Sequence, residues 1–524
     1  MKERSLKKRI EKTAADFTEL AGGMIKWLMI SVIVGGIGGG MGTIFVYSVN
    51  TADAFFAANK WMIYVLPAGG LLIALMYNLA GIKTVKGVSR MMDQVRGDDD
   101  LSPVYIPIVF GSTILTHIGG GSAGREGAAL QIGGSIGEGI GHLFQMNESD
   151  MSIMVLSGSA AMFSALFCAP LTATIFAMEV ISVGVMYYGA LLPCLASSLV
   201  AYAIARMAGL NGEPWGFLSM PDLDIIIILK VAVLGLICAA ASVITVIAFD
   251  HTGKFFRTHL KNRYVRLLAG GAIMIVLTLL FPSGDFNGSG MNVITQALHG
   301  NADWFDFLIK LVFTALCLGT GYKGGEIVPT FYIGAALGCC AGGLLGIDPG
   351  FAAAIGIVAT FCGAVNCPIA SIILGIEFFG GGGIIYYATA CAISFLMSGY
   401  YSLYGSQKIM TVIFSIFDGV GNEIYEYTHK HRLIADSDKP GTRAAHYSNA
   451  SCVCLFLLLL RDDRSKFADV NGIKIKLRCS LGSSGYGEKF RDKLGYPFGL
   501  LQYYIQRFAR FFHCFGIFER EFTL

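Results

Sequence analysis

Long apolar segments, separated by short polar breaks, make up most of the first 420 residues of this chain. Two of them, Ala21–Val49 and Trp61–Leu79, are long enough to cross a bilayer as helices. Apolar segments that we also expect to be helical follow at Pro103–Ile118, Met151–Phe167, Pro170–Val185, Tyr187–Met207 and Ile225–Phe249. The basic segment His251–Arg266 then interrupts the pattern, and we predict that it is a cytoplasmic loop. A second series begins at Leu267–Phe281, and its short, glycine- or proline-interrupted segments are typical of helices that end inside the membrane.

The composition places the chain among membrane proteins. Of its 524 residues, 54% are hydrophobic and only 14% are charged, whereas soluble domains have about 25% charged residues. A net charge of +3, diluted by apolar sequence, argues against a nucleic-acid partner. The 13 cysteines have no metal-ligand or disulfide spacing, and the sequence contains no phosphate-binding loop or cofactor fingerprint. We therefore predict an all-α polytopic membrane protein, surrounded by lipid in a cell membrane, with no metal and no cofactor.

The two series of apolar segments resemble each other, which indicates an internal repeat. Three pairs of segments match in the same order: Gly87–Gly97 with Gly290–Gly300, Gly124–Gly127 with Gly324–Ile327, and Phe163–Glu179 with Phe361–Glu377. In membrane transporters, paired broken segments of this kind point to a binding site between the repeats, near the middle of the bilayer.

This repeat also divides the chain into predicted regions. Residues 1–20 form an N-terminal segment that we place in the cytoplasm, because Lys and Arg precede the first span. The first transmembrane repeat covers residues 21–250, a basic cytoplasmic linker 251–266 and the second repeat 267–420. Residues 421–524 form a mixed, basic tail whose apolar run, Val453–Leu460, is too short to span a bilayer. We place this tail in the cytoplasm and assign it no function.

An adjacent pair of charged residues, Arg125 and Glu126, stands deep within the apolar sequence and is fenced by glycines. Ionisable side chains at membrane depth are costly, and they mark a functional site by default. The glycines up to Gly124 allow a tight turn, and the residues after Gly127 favour a helix, so a loop leads into a helix N-terminus. Unpaired N–H groups and the helix dipole at such an N-terminus favour an anion.

Three motifs carry a family resemblance. Gly124-Arg-Glu-Gly127, Gly324-Gly-Glu-Ile-Val-Pro329 and Ala169-Pro-Leu171 resemble the hallmark motifs of the CLC family of chloride channels and proton–anion antiporters, and the resemblance covers roughly residues 20 to 420. It implies about 17 to 18 membrane-associated helices in two halves of inverted topology, with several helix N-termini converging on an anion. It also implies a homodimer with an independent anion pathway in each subunit. The tail is too short for the paired CBS domains of larger members.

The resemblance assigns roles to single residues. Glu126 matches the gate, a carboxylate that competes with the anion for the same amides. Tyr404 matches the tyrosine that offers its hydroxyl to the anion, and further anion contacts are expected at Val88, Ser89, Gly127, Ile327, Val328 and Thr330. Gly124, Arg125 and Pro329 would support the site, since a fixed guanidinium on the path would hold the ion too tightly to conduct. Glu179 is the candidate residue for a proton path.

Three positions depart from the family pattern and leave the transported ion and its coupling open. Val88 and Ser89 stand where chloride members carry Gly-Ser-Gly-Ile-Pro, and Val180 occupies the place of an inner glutamate in proton-coupled members. We expect a halide, with chloride favoured, that passes through a channel or a loosely proton-coupled exchanger. The alternative is the fluoride-exporting branch of the family, because its motifs are similar to Thr116–Gly127 and Gly321–Pro329.

A membrane-embedded enzyme is the alternative from a different class. It would use Glu126, Glu179 or His117 as acid–base groups. We disfavour it, because no acid or second histidine follows His117 at ligand spacing. His117 is instead expected to be a buried, hydrogen-bonded residue.

Overall fold

The computed structural model describes residues 2–82, 87–212, 215, 220–410, 468–470 and 473–475. Over these residues the backbone forms sixteen α-helices: α1 Lys2–Ala58, α2 Leu66–Leu79, α3 Val88–Val95, α4 Tyr105–Ile118, α5 Glu126–Leu143, α6 Glu148–Phe167, α7 Pro170–Glu179, α8 Leu191–Met207, α9 Ile225–His259, α10 Arg263–Leu280, α11 Met291–Leu298, α12 Asp306–Thr320, α13 Ile327–Leu345, α14 Pro349–Val365, α15 Pro368–Phe379 and α16 Ile384–Ser398. Short 3-10 helices at Lys60–Val65, Tyr188–Ala190 and Gly381–Gly383 precede α2, α8 and α16.

Four short strands complete the described secondary structure. β1 (Ser182–Val183) follows α7 and pairs in parallel with β2 (Lys408–Ile409), which follows α16. A separate C-terminal unit, Leu457–Leu524, contains the antiparallel pair β3 (Ala468–Val470) and β4 (Ile473–Ile475). The rest of the predicted tail, residues 421–524, lies outside the described residues.

The helices fit a multi-pass membrane protein. Within the described part of the chain, eight helical segments are long and apolar enough to cross a bilayer: Ala21–Ala58, Lys60–Leu79, Glu148–Phe167, Tyr188–Met207, Ile225–His259, Arg263–Leu280, Ile327–Leu345 and Gly381–Ser398. Helices α4, α14 and α15 are apolar but shorter. At 1.5 Å per residue they fall short of the roughly 30 Å of a bilayer core, as the interrupted pattern predicted.

Two element predictions need correction. The predicted loop His251–Arg266 is largely helical, because α9 continues to His259 and α10 begins at Arg263. Charged residues end an apolar run but not a helix, since Lys and Arg are good helix formers. The predicted helix Pro170–Val185 ends earlier, at Glu179, where the chain turns into β1.

The sixteen helices fall into two series of eight that match in order and packing. α1 contacts α4, α5, α6 and α8, and α9 contacts α12, α13, α14 and α16 in the same way. The short helices α3 and α11 each start after a glycine with positive φ, Gly87 or Gly290. Because α9 matches α1, we assign it to the second half, which moves the predicted boundary at residue 250 back to the segment between α8 and α9.

The two halves run through the membrane in opposite directions. The Lys60 ammonium, just after α1, donates to the carbonyl oxygens of Pro282 and Ser283, just after α10. The C-terminal ends of α1 and α10 therefore lie on the same face. Only three residues join α9 to the start of α10, so α9 ends on the opposite face from α1. Inverted halves of this kind are related by a two-fold axis in the membrane plane.

Candidate functional site

A short backbone bridge joins the loops that lead into α5 and α13. The Gly124 N–H donates to the Gly325 carbonyl at 2.8 Å, and the Gly325 N–H donates to the Gly124 carbonyl at 2.7 Å. A Cβ on Gly325 would lie 2.6 Å from the Glu126 backbone nitrogen, so the close approach of the two loops requires glycine at this position. The bridge brings together the N-termini of two helices from opposite halves.

The side chain of Glu126 lies across both of these N-termini. It is fully buried; its Oε1 accepts from the Arg125 N–H at 3.1 Å, and its Oε2 accepts from the Val328 N–H at 3.3 Å. Free N–H groups and the positive end of the helix dipole make such termini attractive to an anion. The carboxylate therefore occupies a position suited to an anion, which is the geometry that the gating prediction requires.

Only part of the first turn of α13 offers amides to an anion. Ile327 and Val328 are buried at the helix start, and Pro329 has no N–H. The Thr330 N–H donates to the Glu326 carbonyl at 3.2 Å, and the Thr330 hydroxyl donates to the same oxygen at 2.8 Å. This corrects the prediction of an anion contact at the Thr330 amide, because that amide already makes the first hydrogen bond of the helix.

The start of α3 approaches the same place from the first half. Val88 is buried, and its Cγ2 lies 3.3 Å from the position that a Cβ on Gly127 would occupy. Gly127 is the second residue of α5, so the N-termini of α3 and α5 are adjacent. Ser89 instead lines a solvent cavity. The structure brings Val88 and Gly127 beside the Glu126 loop and leaves Ser89 nearer to solvent.

Tyr404 lies in the segment after α16, which is held against both halves. The Gln407 side chain of this segment donates to backbone carbonyls at the ends of α7 and α14. Tyr404 is buried, and within the described residues its hydroxyl has no hydrogen-bond partner. The carboxyl groups of Glu126 and Glu326 are both within electrostatic range of it. A buried hydroxyl without a protein partner is a ready donor to an anion.

A wide cavity reaches this region from one face of the fold. Its volume is 1610 Å³, and it is lined by the C-terminal ends of α2 and α9, the start of α10 and the segment after α16. Among its described lining residues, six are Lys or Arg and three are acidic: Lys254, Arg257, Lys261, Arg263, Arg266 and Lys323 against Asp93, Asp250 and Glu326. An excess of one charge sign in a low-dielectric cleft concentrates ions of the opposite sign. The cavity is therefore suited to enrich anions.

Arg125 connects the loop between α4 and α5 to the first helix. Its guanidinium donates to the side-chain oxygen of Asn50 on α1, and its own N–H holds Glu126. This contact ties Arg125 to α1, and the supporting role of Arg125 stays a prediction.

Sequence reasoning missed a polar cluster next to the loop between α4 and α5. His117 Nδ1 lies 2.7 Å from Asp53 Oδ1, and His117 Nε2 lies 3.2 Å from the Gly124 carbonyl oxygen. The other Asp53 oxygen accepts from the Ser289 hydroxyl at 3.0 Å. Lys310, fully buried in α12, donates to two backbone carbonyls of the loop before α11. His117 is buried and hydrogen-bonded as predicted, and the charges of Asp53 and Lys310 within apolar sequence were the signal for this cluster.

Glu179 and Glu377 occupy equivalent places in the two halves. Each carboxylate caps the N-terminus of a helix in the other half. Glu179, at the end of α7, accepts from the Ile369 and Ala370 N–H groups at the start of α15, at 3.1 and 2.8 Å. Glu377, near the end of α15, accepts from two N–H groups at the start of α7. These reciprocal caps satisfy helix-terminal amides across the two halves. Both oxygens of Glu179 thus make a structural contact, and its place on a proton path stays a prediction.

Two inverted halves whose helix N-termini meet at a buried carboxylate, next to a basic cavity, define a membrane protein that moves anions. The family described as Voltage gated chloride channel matches residues 69–399. The chain belongs to this CLC family of anion transporters, and the predicted architecture of two inverted repeats is confirmed.

The chain is similar to relatives that carry different ion names. A chloride/fluoride channel protein of Pseudomonas syringae pv. tomato is 31% identical over 391 residues, which cover 73% of this chain and 86% of the relative. An H(+)/Cl(−) exchange transporter ClcA of Vibrio parahaemolyticus is 25% identical, covering 67% of this chain and 81% of the relative. The solved structure of a CLC-type fluoride/proton antiporter is 29% identical, with a TM-score of 0.71, covering 74% of this chain and 98% of that chain.

Proposed function

We propose that this chain moves a halide ion across its membrane through a pathway gated by Glu126, with one such pathway in each subunit of a homodimer. The observation that carries this proposal is the Glu126 carboxylate, which lies across the N-termini of α5 and α13. The halide would take the place of the carboxylate on the Ile327 and Val328 amides and accept a hydrogen bond from Tyr404. Protonation or displacement of Glu126 opens the path, so the flux rises as the pH falls.

Fluoride is the preferred ion in this proposal. The relatives named for fluoride are 31% and 29% identical to this chain, and those named for chloride alone are between 25% and 30% identical, so the preference for fluoride rests on the chemistry of the site. Fluoride is small and strongly hydrated, so its site must replace water with good donors. Two backbone amides and an otherwise unpartnered tyrosine hydroxyl supply them. Chloride, which the sequence favoured, is the second candidate, supported by the name of the matched family.

Exchange of the halide with protons is the preferred mode in this proposal. Glu326 supplies the inner carboxylate that is absent at Val180. Glu326 lines the basic cavity, so a proton can reach it from solvent. Tyr404 lies within electrostatic range of both Glu326 and Glu126, and in this proposal a proton moves from one acid to the other through this region. We assign Glu326 as the proton residue on the cavity side and Glu126 as the residue on the other side.

Ion flux from liposomes tests the proposal. Efflux of fluoride, chloride and nitrate is recorded with ion-selective electrodes, with and without a pH gradient. We expect fluoride to leave fastest and to drive protons uphill. Glu126→Gln should pass anions without protons, and Glu326→Gln should keep anion flux but lose most of the proton movement. Glu148→Gln, at an exposed position in the first turn of α6, is the matched control.

The outcomes separate the alternatives. Absence of anion efflux from the wild-type protein would contradict the pathway itself. Equal chloride and fluoride flux without proton movement would instead support a chloride channel.

A further inference from the structure

Both ring nitrogens of His117 face hydrogen-bond acceptors. A neutral histidine next to an ionised carboxylate has one proton too few to bond with both. Nε2 faces the Gly124 carbonyl oxygen, and Nδ1 faces a carboxylate oxygen of Asp53. A carbonyl and a carboxylate only accept hydrogen bonds, and a neutral imidazole has a single N–H. The geometry is satisfied only if His117 carries both protons or Asp53 is itself protonated. We propose that the Asp53–His117 pair is a further proton-binding site of this protein, separate from Glu126 and Glu326.

The pair is fixed by the fold and is also reachable by water. The His117 side chain is completely buried, whereas the Asp53 side chain is 25% exposed. Asp53 lies near the end of α1, and α1 ends on the face opposite the basic cavity. A proton can therefore enter from that face, and the pair gains one positive charge when it binds the proton.

Several charged groups face this pair from other elements. Arg125, at the start of α5, acts on both Asp53 and His117. Lys310 on α12 acts on Asp53, and the Cys317 thiol of the same helix faces Lys310. Arg125 opposes an additional positive charge on the pair, and so does Lys310 when its amine is protonated, while the short contact between Asp53 and His117 favours it. With these two effects in opposition, the proton can be released as well as bound.

Proton release would act on the gate through one carbonyl group. Gly124 lies two residues before Glu126. Its carbonyl oxygen accepts hydrogen bonds from His117 and from the Gly325 N–H. A neutral His117 that keeps its N–H on Asp53 presents the Nε2 lone pair to this carbonyl, which repels it. The bound proton thus holds the loop against α13 and adds positive charge beside the anion path. Both effects predict a higher anion flux when the pair is protonated.

The test removes the gate carboxylate first, so that Glu126 cannot cause the pH dependence that remains. This inference rests on the proposed function, because one of its two readouts is anion flux. In Glu126→Gln protein we expect a remaining severalfold rise in flux as the pH falls on the face where α1 ends. Adding Asp53→Asn should abolish that rise and keep the flux at its low-pH level. An asparagine amide donates to a neutral His117 and still accepts from Ser289, so every hydrogen bond survives without the extra proton.

His117→Gln gives a second variant that cannot bind the proton, and it should also lose the pH step. His142→Gln, at an exposed position in α5 next to Glu138, is the matched control and should retain the step. A pH step that persists after Asp53→Asn, or that is missing from Glu126→Gln alone, would overturn the proposal.

A second readout does not depend on transport. The infrared difference spectrum of purified Glu126→Gln protein between about pH 5 and pH 8 should contain a proton-binding band of the pair. That band should vanish with Asp53→Asn and remain with His142→Gln. If Glu126→Gln passes no anion, the proposed function fails, and the infrared band still decides whether the pair binds a proton.

Discussion

At the scale of single residues, the central question is how an acidic side chain can be buried and still move. Burying an unpaired carboxylate costs several kcal/mol. The Glu126 carboxylate offsets this with N–H groups from the start of α5 and from Val328 on α13. Each helix N-terminus contributes about 0.3–1 kcal/mol for a nearby anion. Any anion of similar size gains from the same groups, so a halide and Glu126 can exchange at one place with little net change in free energy.

The Tyr404 hydroxyl is the second residue-scale element of the site. Tyr404→Phe removes this hydroxyl and keeps the ring. A hydrogen bond to a charged group contributes about 1.5–3 kcal/mol, so we expect anion binding to weaken by roughly 10- to 100-fold. Titration calorimetry with the preferred halide measures this change.

Tyr400→Phe is the matched control for that experiment, because Tyr400 precedes Tyr404 in the same segment and lines the basic cavity. Its binding constant should stay within about twofold of wild type, a difference of roughly 0.4 kcal/mol. Equal weakening in both variants would show that the Tyr404 hydroxyl has no direct part in binding.

At the scale of elements, glycines determine how closely the helices of each half can pack. A Cβ on Gly158 would collide with the Gly133 carbonyl between α5 and α6, and a Cβ on Gly356 would collide with the Gly334 carbonyl between α13 and α14. Small residues in membrane helices allow the backbones to approach closely. Because α5 and α13 carry the site at their N-termini, this packing positions each N-terminus within its own half, and the Gly124–Gly325 bridge joins the two.

Replacement of Gly356 by alanine tests this packing. Inserting a methyl group against a backbone carbonyl should lower the free energy of unfolding by about 1–3 kcal/mol. Gly343→Ala, on α13 with no atom within 4 Å of its added Cβ, is the control. It should leave stability unchanged or raise it by up to about 1 kcal/mol, because alanine favours a helix. Thermal unfolding in detergent compares the two, and an equal loss in both would contradict the packing argument.

The reciprocal caps make a second element-scale prediction. Glu377→Ala leaves the Leu171 and Thr172 N–H groups at the start of α7 without their acceptor. We expect a loss of about 1–3 kcal/mol in stability, with the anion selectivity unchanged. Glu377→Gln keeps one amide oxygen as an acceptor and should recover part of the loss. A change in selectivity with normal stability would instead assign Glu377 to the pathway.

The elements were largely predictable from sequence, and the site only in part. Apolar run length and repeated glycine spacing indicated the helices and the two halves, because both follow from local chain geometry. The extension of α9 to His259 was missed, because an apolar run ends at charged residues. The helix itself continues, since charged residues such as Lys and Arg have a high helix propensity. Asp53 and His117 are 64 residues apart and meet only through the packing of α1 against α4. No spacing rule could pair them.

At the scale of the whole molecule, the inverted halves give the pathway two unlike ends. One end is the wide basic cavity, and the other contains the Asp53–His117 pair. The Lys and Arg residues before the first span predict that the cavity faces the cytoplasm, because α1 starts and α9 ends on the same face. We therefore expect an anion to meet excess positive charge at the cavity end and the proposed proton-binding pair at the other end.

Neutralising part of the cavity charge tests this asymmetry. Arg257→Gln with Lys261→Gln removes two of the six basic side chains that line the cavity. Anion flux should fall severalfold at about 0.01 M salt, where the Debye length is about 30 Å, and hardly at 1 M, where it is about 3 Å. Lys230→Gln, near the other end of the same helix α9, removes a basic side chain away from the cavity and should leave the flux unchanged. Salt added only on the cavity face should be enough to erase the difference between mutant and wild type. If salt on the opposite face removes this flux difference instead, the mutated side chains face that side of the membrane, and the predicted orientation is wrong.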